Sequence, residues 1–206
     1  MSERRRKRRR FQYSLRTLLV VMLLVSIGMS WLAVRRHRVR RQREAVEAIK
    51  ELGGRVQSEE GTQVPPWLRE LLGDDFFFLK VHTIDLNATP VTGARLEHLK
   101  GLKYLRMLDL NGTQVTDAGL EHLKGMTSLQ ELNLNGTQVT DAGLEHLKRL
   151  TSLKRLWLDN TQITDAGLKR LKGMTNLQGL TLSNTQVTDA GVDDLKKALP
   201  KCNITR

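Results

Sequence analysis

Four copies of one pattern, begun by Leu105, Leu129, Leu153 and Leu177, follow one another 24 residues apart without an insertion. The first copy reads Leu-Arg-Met-Leu-Asp-Leu-Asn-Gly-Thr-Gln-Val-Thr-Asp-Ala-Gly-Leu over residues 105–120. A weaker copy precedes it. Val81, Ile84, Leu86, Thr89, Val91, Leu96 and Leu99 stand 24 residues before Leu105, Leu108, Leu110, Thr113, Val115, Leu120 and Leu123. A fixed period of this size restricts the fold to a solenoid, in which each unit stacks on the next. No unit can stand alone, because 24 residues bury too few apolar side chains to offset the ordering of their backbone.

Within a unit, Leu108 and Leu110 share one strand face and Asp109 points the other way, since strands alternate with period two. Thr113 recurs as Thr89, Thr137, Thr161 and Thr185, where its hydroxyl can hydrogen-bond the backbone as the chain leaves the strand. Thr116 and Asp117 offer an N-cap pair for a short helix, repeated at Thr140 and Asp141, Thr164 and Asp165, and Thr188 and Asp189. Leu120 and Leu123 face inward. Gly125 is expected to close the turn, as Gly101 and Gly173 do, although Arg149 departs from this rule. Repeats are expected over 81–206, with Ile204 in the place of Leu180 completing a truncated sixth strand.

The motif resembles a leucine-rich repeat over residues 81–205. Its Val-Thr-Asp-Ala-Gly-Leu-x-x-Leu half is similar to the ribonuclease-inhibitor-like and F-box-associated subclass, with threonine where many repeats carry asparagine or cysteine. With its short basic N-terminus and one apolar segment, the whole chain resembles bacterial membrane-anchored leucine-rich repeat proteins. The resemblance implies an α/β solenoid with an N-terminal transmembrane helix. It places parallel strands on the concave face and short helices on the convex face, and implies protein binding through the concave sheet. The F-box branch implies ubiquitin-ligase adaptors, but no helical F-box module is found, and the apolar segment occupies its place.

The net charge of +12 belongs to the N-terminus. Residues 1–43 hold 14 Lys/Arg and one acid, and residues 44–206 hold 20 Lys/Arg and 21 acids. The folded part is therefore near neutral and lacks the basic stripe of a duplex binder, so no nucleic-acid partner is expected. Residues 1–14 are a solvated basic tail. Residues 18–34 carry no charge over 17 positions, spanning about 26 Å as a helix against a bilayer core of about 30 Å. Leu15, with Arg16 snorkelling outward, brings the run to length, so 15–34 is expected to span the lipid bilayer. Phe11, Tyr13 and Trp31 lie near its ends, where amphipathic rings settle at headgroups. A cleaved signal peptide would have a shorter apolar region and a small-residue site rather than following arginines. A soluble buried helix would not be bracketed by arginines. Eight basic residues precede the run and six follow it, which places the N-terminus in the cytoplasm and the repeats outside. The single thiol, Cys202, offers a label for that orientation and permits no internal disulfide.

Residues 35–54 read as a helical stalk, in which Ala45, Ala48, Ile49 and Leu52 share one face and Gly53 with Gly54 ends the helix. Residues 55–80 read as the N-terminal cap of the solenoid. They comprise a short strand at Arg55, Val56 and Gln57, a polar loop over 58–63, and a short helix over 65–73 with Trp67, Leu68, Leu71 and Leu72 inward. Phe76, Phe77 and Phe78 follow, a cover for the first unit's unstacked side or, alternatively, an aromatic ligand cage.

His98, His122 and His146 recur at the repeat spacing but fall on the outer helices, and the recurring aspartates are explained by capping. No metal or cofactor is expected. No catalytic triad spacing, phosphate loop or histidine-pair motif occurs, so no enzyme is expected. The candidate site is the pair of outward rows on the concave strands. One holds Thr83, Met107, Glu131, Arg155 and Gly179; the other holds Asp85, Asp109, Asn133, Trp157 and Thr181. Tryptophan beside arginine has the composition of a binding hot spot; a surface tryptophan shielding aliphatic neighbours is the other reading. Six strands at about 4.8 Å and four residues of about 3.3 Å project to about 300 Å², against about 800 Å² per partner in a standard interface. Weak binding strengthened by membrane confinement is therefore expected. Three functions remain: a membrane-anchored module for protein–protein interaction, a receptor stacking carbohydrate or cell-wall ligands on Trp157, and a soluble ubiquitin-ligase adaptor.

Overall fold

The computed structural model describes residues 15–60 and 79–206. The basic tail, the helix expected over 65–73 and the aromatic run 76–78 lie outside the described residues. The chain forms two compact units, residues 1–37 and residues 38–206. Helix α1 (Leu15–Glu51) begins in the first and ends in the second.

In the first unit, the large apolar side chains that α1 carries from Leu18 to Val34 include twelve more than half exposed. Ser26 returns its hydroxyl to the Leu23 carbonyl at 2.9 Å. Among the described residues no helix is long and apolar enough to cross a membrane. The uncharged run there, residues 17–34, is 18 residues, short of the roughly 20 that a bilayer takes. The spanning helix expected over 15–34 is thus not found among them; an exposed apolar helix is.

In the second unit, α1 ends as its glycines require. Gly53 has φ +81°. Its amide donates to Lys50 O at 3.0 Å, and that of Gly54 donates to Ile49 O at 2.9 Å, the paired bonds of a Schellman stop. The last turns are core rather than stalk. Ala45 and Ile49 are each 2% exposed, and Val46 and Leu52 pack beside them. The helical face read from the sequence is therefore buried against the first repeat.

Among the described residues, seven strands form one sheet in chain order. They are β1 (Arg55–Glu60), β2 (Leu79–Asp85), β3 (Met107–Asp109), β4 (Glu131–Asn133), β5 (Arg155–Trp157), β6 (Gly179–Thr181) and β7 (Asn203–Thr205). From β2 onward all are parallel, each displaced from the last by one repeat. Strand β1 pairs antiparallel with β2 and shifts register between Gln57 and Ser58. The polar residues Ser58, Glu59 and Glu60, expected in a loop, are thus the far half of a strand. The free edge of β2 offers unpaired N–H and C=O groups, and main-chain pairing decides the conformation whatever the side chains are. The sheet has one strand more than the repeats supply, and that strand closes its N-terminal edge.

The outer layer begins with a 3-10 helix (Gly93–Gly101). Then come α2 (Asp117–Leu120) with a further 3-10 turn (Glu121–Leu123), α3 (Asp141–Leu147), α4 (Asp165–Leu171) and α5 (Asp189–Ala198). Between the layers one core runs from Ala45 to Ile204. Leu108, Leu132, Leu156 and Leu180 are each at most 1% exposed. The buried threonines do as their position suggests. Thr113, Thr137 and Thr161 donate to Leu110 O, Leu134 O and Leu158 O at 2.6, 2.7 and 2.5 Å.

The recurring aspartates do not cap their own helices. Asp117 accepts from the amide and the hydroxyl of Thr140 in the next repeat, at 2.8 and 2.6 Å. Asp141 holds Thr164 at 2.9 and 2.6 Å, and Asp165 holds Thr188 at 2.8 and 2.7 Å. Capping falls to the threonines: Thr140, Thr164 and Thr188 accept from Ala142, Ala166 and Gly191 amides. The glycine of Thr-Asp-Ala-Gly is what admits this staple. A Cβ built at Gly143, Gly167 or Gly191 would collide with Asp117, Asp141 or Asp165 Oδ1 respectively. Gly93 stands where the first staple would be, and its backbone instead packs on Gly119, where a Cβ would lie 2.6 Å from Gly93 Cα. The Thr188 hydroxyl, and then its amide, hold the Asp165 carboxyl below its ordinary value. That contribution to stability is present above the ordinary carboxylate pKa and is lost as pH falls.

The turn glycines also differ from expectation. Among the described residues of the repeats, left-handed backbone falls at Ala88, Gly112, Gly136, Asn160 and Asn184, with φ between 53° and 64°. Gly101, Gly125 and Gly173 are not in this set, which is why Arg149 can take the corresponding place. Ala88 is the strained member, since a Cβ in this region costs about 1–2 kcal/mol. Ala88→Gly should stabilise the solenoid by about 0.5–1 kcal/mol once the greater entropy of the unfolded glycine is subtracted. Urea unfolding checks it; a loss of stability would show that Ala88 carries no strain.

Candidate functional site

The parallel register assembles both outward rows. Thr83, Met107, Glu131, Arg155 and Gly179 are neighbours across β2 to β6, and so are Asp85, Asp109, Asn133, Trp157 and Thr181. Asn203 and Thr205 of β7 extend them. Each row is flanked by buried leucines on the opposite face, which fix where its side chains emerge.

Most of these residues already have partners. Arg155 Nη1 meets Glu131 Oε1 at 3.0 Å, with the arginine side chain 60% exposed. Asp85 and Asp109 accept the amides of Asn87 and Asn111 at 3.0 and 2.9 Å, and Asn133 accepts that of Asn135 at 3.1 Å. Asn133 Nδ2 also donates to Asp109 Oδ2 at 3.3 Å. Thr181 donates to Asp159 Oδ2 at 2.7 Å. The second row therefore holds the turns that follow the strands, and of its members Trp157, half-buried, is the one with a large apolar surface to offer. Sequence reasoning missed these turn bonds. Their signal was the Asp or Asn two residues before the next polar amide, a spacing that forms Asx turns. It also missed Tyr104, 48% exposed, whose carbonyl lies 3.2 Å from His82 Nδ1.

Other clusters lie off the sheet. A cavity of about 390 Å³ is lined by Arg41, Glu44, Ala45, Glu97, His98, Lys100 and Gly101. Another of about 240 Å³ lies at Thr175, Leu177, Ala198, Leu199, Pro200, Lys201 and Cys202. His98 is exposed and His122 and His146 are partly so, and no group of three or more metal-ligating side chains is assembled among the described residues. Cys202 is 7% exposed and burial raises its thiol pKa, so it is a poor site for labelling, contrary to its reading from sequence.

Comparison with known proteins agrees with this geometry. Residues 80–139 match the family described as leucine rich repeat, and residues 127–170 and 151–197 match leucine rich repeats in two copies. No curated protein matches the chain. Among solved structures, an internalin (inlF) from Listeria monocytogenes is 29% identical with a TM-score of 0.47, the match covering 53% of this chain and 30% of that one. Internalin C2 from the same organism is 28% identical with a TM-score of 0.46, covering 63% of this chain and 65% of that one. The match spans less than two thirds of either internalin. The ectodomain of the receptor kinase SOBIR1 from Arabidopsis thaliana is 12% identical with a TM-score of 0.50, covering 81% and 91%, a likeness of fold alone. The family matches together span more than half of the chain, over the residues that build the parallel sheet and its outer helices, and the chain belongs to the leucine-rich repeat family.

Proposed function

We propose that this chain displays its repeats as a protein-binding module at a membrane, held there by the apolar helix and carrying out no chemistry of its own. Leucine-rich repeat domains generally mediate protein–protein interaction and are typically non-enzymatic. Trp157 carries the reading. It stands half-buried in the middle of a polar sheet, two residues from Arg155, while the inward residue of β5 and of each neighbouring strand is leucine. For the anchor, the support is the run from Leu18 to Val34, twelve of whose large apolar side chains are more than half exposed. Arginines stand on both sides of it, and Leu15 supplies the missing length. The basic residues on its N-terminal side, eight against six, support a cytoplasmic N-terminus and repeats on the other side.

The test begins with cross-linking of the full chain in its native membrane to identify the bound protein. Trp157→Ala should weaken that complex by at least about 2 kcal/mol, about 30-fold, with the melting temperature little changed. A variant that mainly unfolds would show that Trp157 is core. A glycan bound in a Trp157-dependent way, with no protein captured, would make the face a carbohydrate receptor. Recovery of the intact chain in the soluble fraction would favour the adaptor.

A further inference from the structure

The outward face is divided by charge along the strands. Where the strands start, Lys103, Arg106, Lys154 and Arg155 stand against Glu131, and at the edge of the sheet Glu59 and Glu60 of β1 are in register with Lys80 and Leu79 of β2. Where they end, Asp85, Asp109 and Asp159 stand against Arg55 of β1, which is in register with Asp85. The two edges differ in what they have left to give. Asp85, Asp109 and Asp159 hold backbone amides, the last that of Ser183 at 2.7 Å. Lys103, Arg106 and Lys154 have no partner among the described residues, and Arg155 shares Glu131. On the helical side, by contrast, Lys124, Lys148, Arg170 and Lys172 each meet a carboxylate.

We propose that the partner presents an acidic protein segment along the strand starts, its carboxylates on Arg106 and Lys154 and its apolar groups on Tyr104 and Trp157. This rests on the reading that the outward face binds protein. The spacing suits such a segment. Gln130 N donates to Arg106 O and Lys154 N to Gln130 O, at 2.8 and 2.7 Å, so Arg106 and Lys154 sit in register on strands two apart. Their backbones are about 10 Å apart, the reach of three residues of extended chain. Tyr104, 48% exposed, lies two residues before Arg106, and Trp157 lies two residues after Arg155 at the end of β5, so an aromatic stands near a cation on each of the two strands, as interface anchors do. The width of the row selects a narrow partner. Asp109 lies about 10 Å of extended chain beyond Arg106, and Asp159 about 16 Å beyond Lys154, so a polyanion broad enough to cover the strand ends meets the aspartates, whereas a segment whose carboxylates stay at the strand starts keeps them clear.

A random dodecapeptide library selected on the full chain in detergent micelles tests this. Selected peptides should be rich in Asp and Glu beside an aromatic and should depend on Trp157. They should lose at least about tenfold in affinity on Arg106→Glu with Lys154→Glu, and should weaken as salt rises. Both side chains are exposed and unpaired, so the double variant should melt as the wild type does. Peptides that depend on Trp157 but are indifferent to the charge reversal would overturn the acidic segment and leave the protein-binding face standing. Peptides indifferent to Trp157, Tyr104 and both cations alike would overturn the face itself. An oligo-thymidylate that binds more tightly than the peptides, with the same dependence on Arg106 and Lys154, would replace the acidic protein by a nucleic acid.

Discussion

Gly167→Ala should destabilise the solenoid by about 2–4 kcal/mol, although alanine is the better helix former by about 1 kcal/mol. The added methyl meets the Asp141 carboxylate, which must then leave the Thr164 amide and hydroxyl that it holds at 2.9 and 2.6 Å. Overpacking costs about 1–3 kcal/mol, and each hydrogen bond to a charged group contributes about 1.5–3 kcal/mol; partial solvation of this staple places the sum in the lower part of their range. Asp141→Ala alone should cost about 2–3 kcal/mol by the same bonds. The combination tells most. With Asp141 cut back, the oxygen that Gly167 makes room for is gone, and Gly167→Ala should become neutral or stabilising by up to about 1 kcal/mol. A double-mutant cycle by urea unfolding reads this change of sign. Additive costs would mean that the glycine is there for some reason other than the staple.

Leu23→Arg combined with Ile27→Arg should release the full chain from membranes. An arginine at the centre of a spanning helix costs about 2.5–3.5 kcal/mol on insertion and forfeits the gain of the apolar residue it replaces. Two such changes remove about 6–8 kcal/mol, enough to move the chain from the alkali-resistant pellet to the supernatant. The repeats should be unaffected, since these positions belong to the first compact unit. A chain that stays in the pellet after both substitutions is held by something other than this run. Orientation is read on the unmodified anchor with Lys196→Cys, an exposed position of α5, in a Cys202→Ala background. An impermeant maleimide should label it without breaching the membrane that holds the helix; labelling only after the breach would put the repeats in the cytoplasm.

The sequence by itself determined the solenoid, the strand positions, the inward leucines and the role of Thr113 and its counterparts. It could do so because a strict 24-residue period makes every unit the neighbour of an identical unit, so one local reading is repeated until it is unambiguous. The same reasoning named both outward rows, since strand alternation needs no knowledge of the neighbours. What it misassigned depends on contacts between units. Within one repeat Asp117 reads as a cap, and only stacking shows that its acceptor oxygens reach Thr140, 23 residues on. Gly167 reads as a helix weakness until the carboxylate of the preceding unit is placed against it. Residues 58–60 read as a loop by their polarity, yet they are strand because the edge of β2 was unpaired. Likewise the last turns of α1 pass for stalk until the first repeat is seen to need a cover. Which cations of the outward face are free and which acids are already engaged was also a tertiary matter: formal charge is written in the chain, whereas hydrogen-bond partners come from segments that only folding brings together.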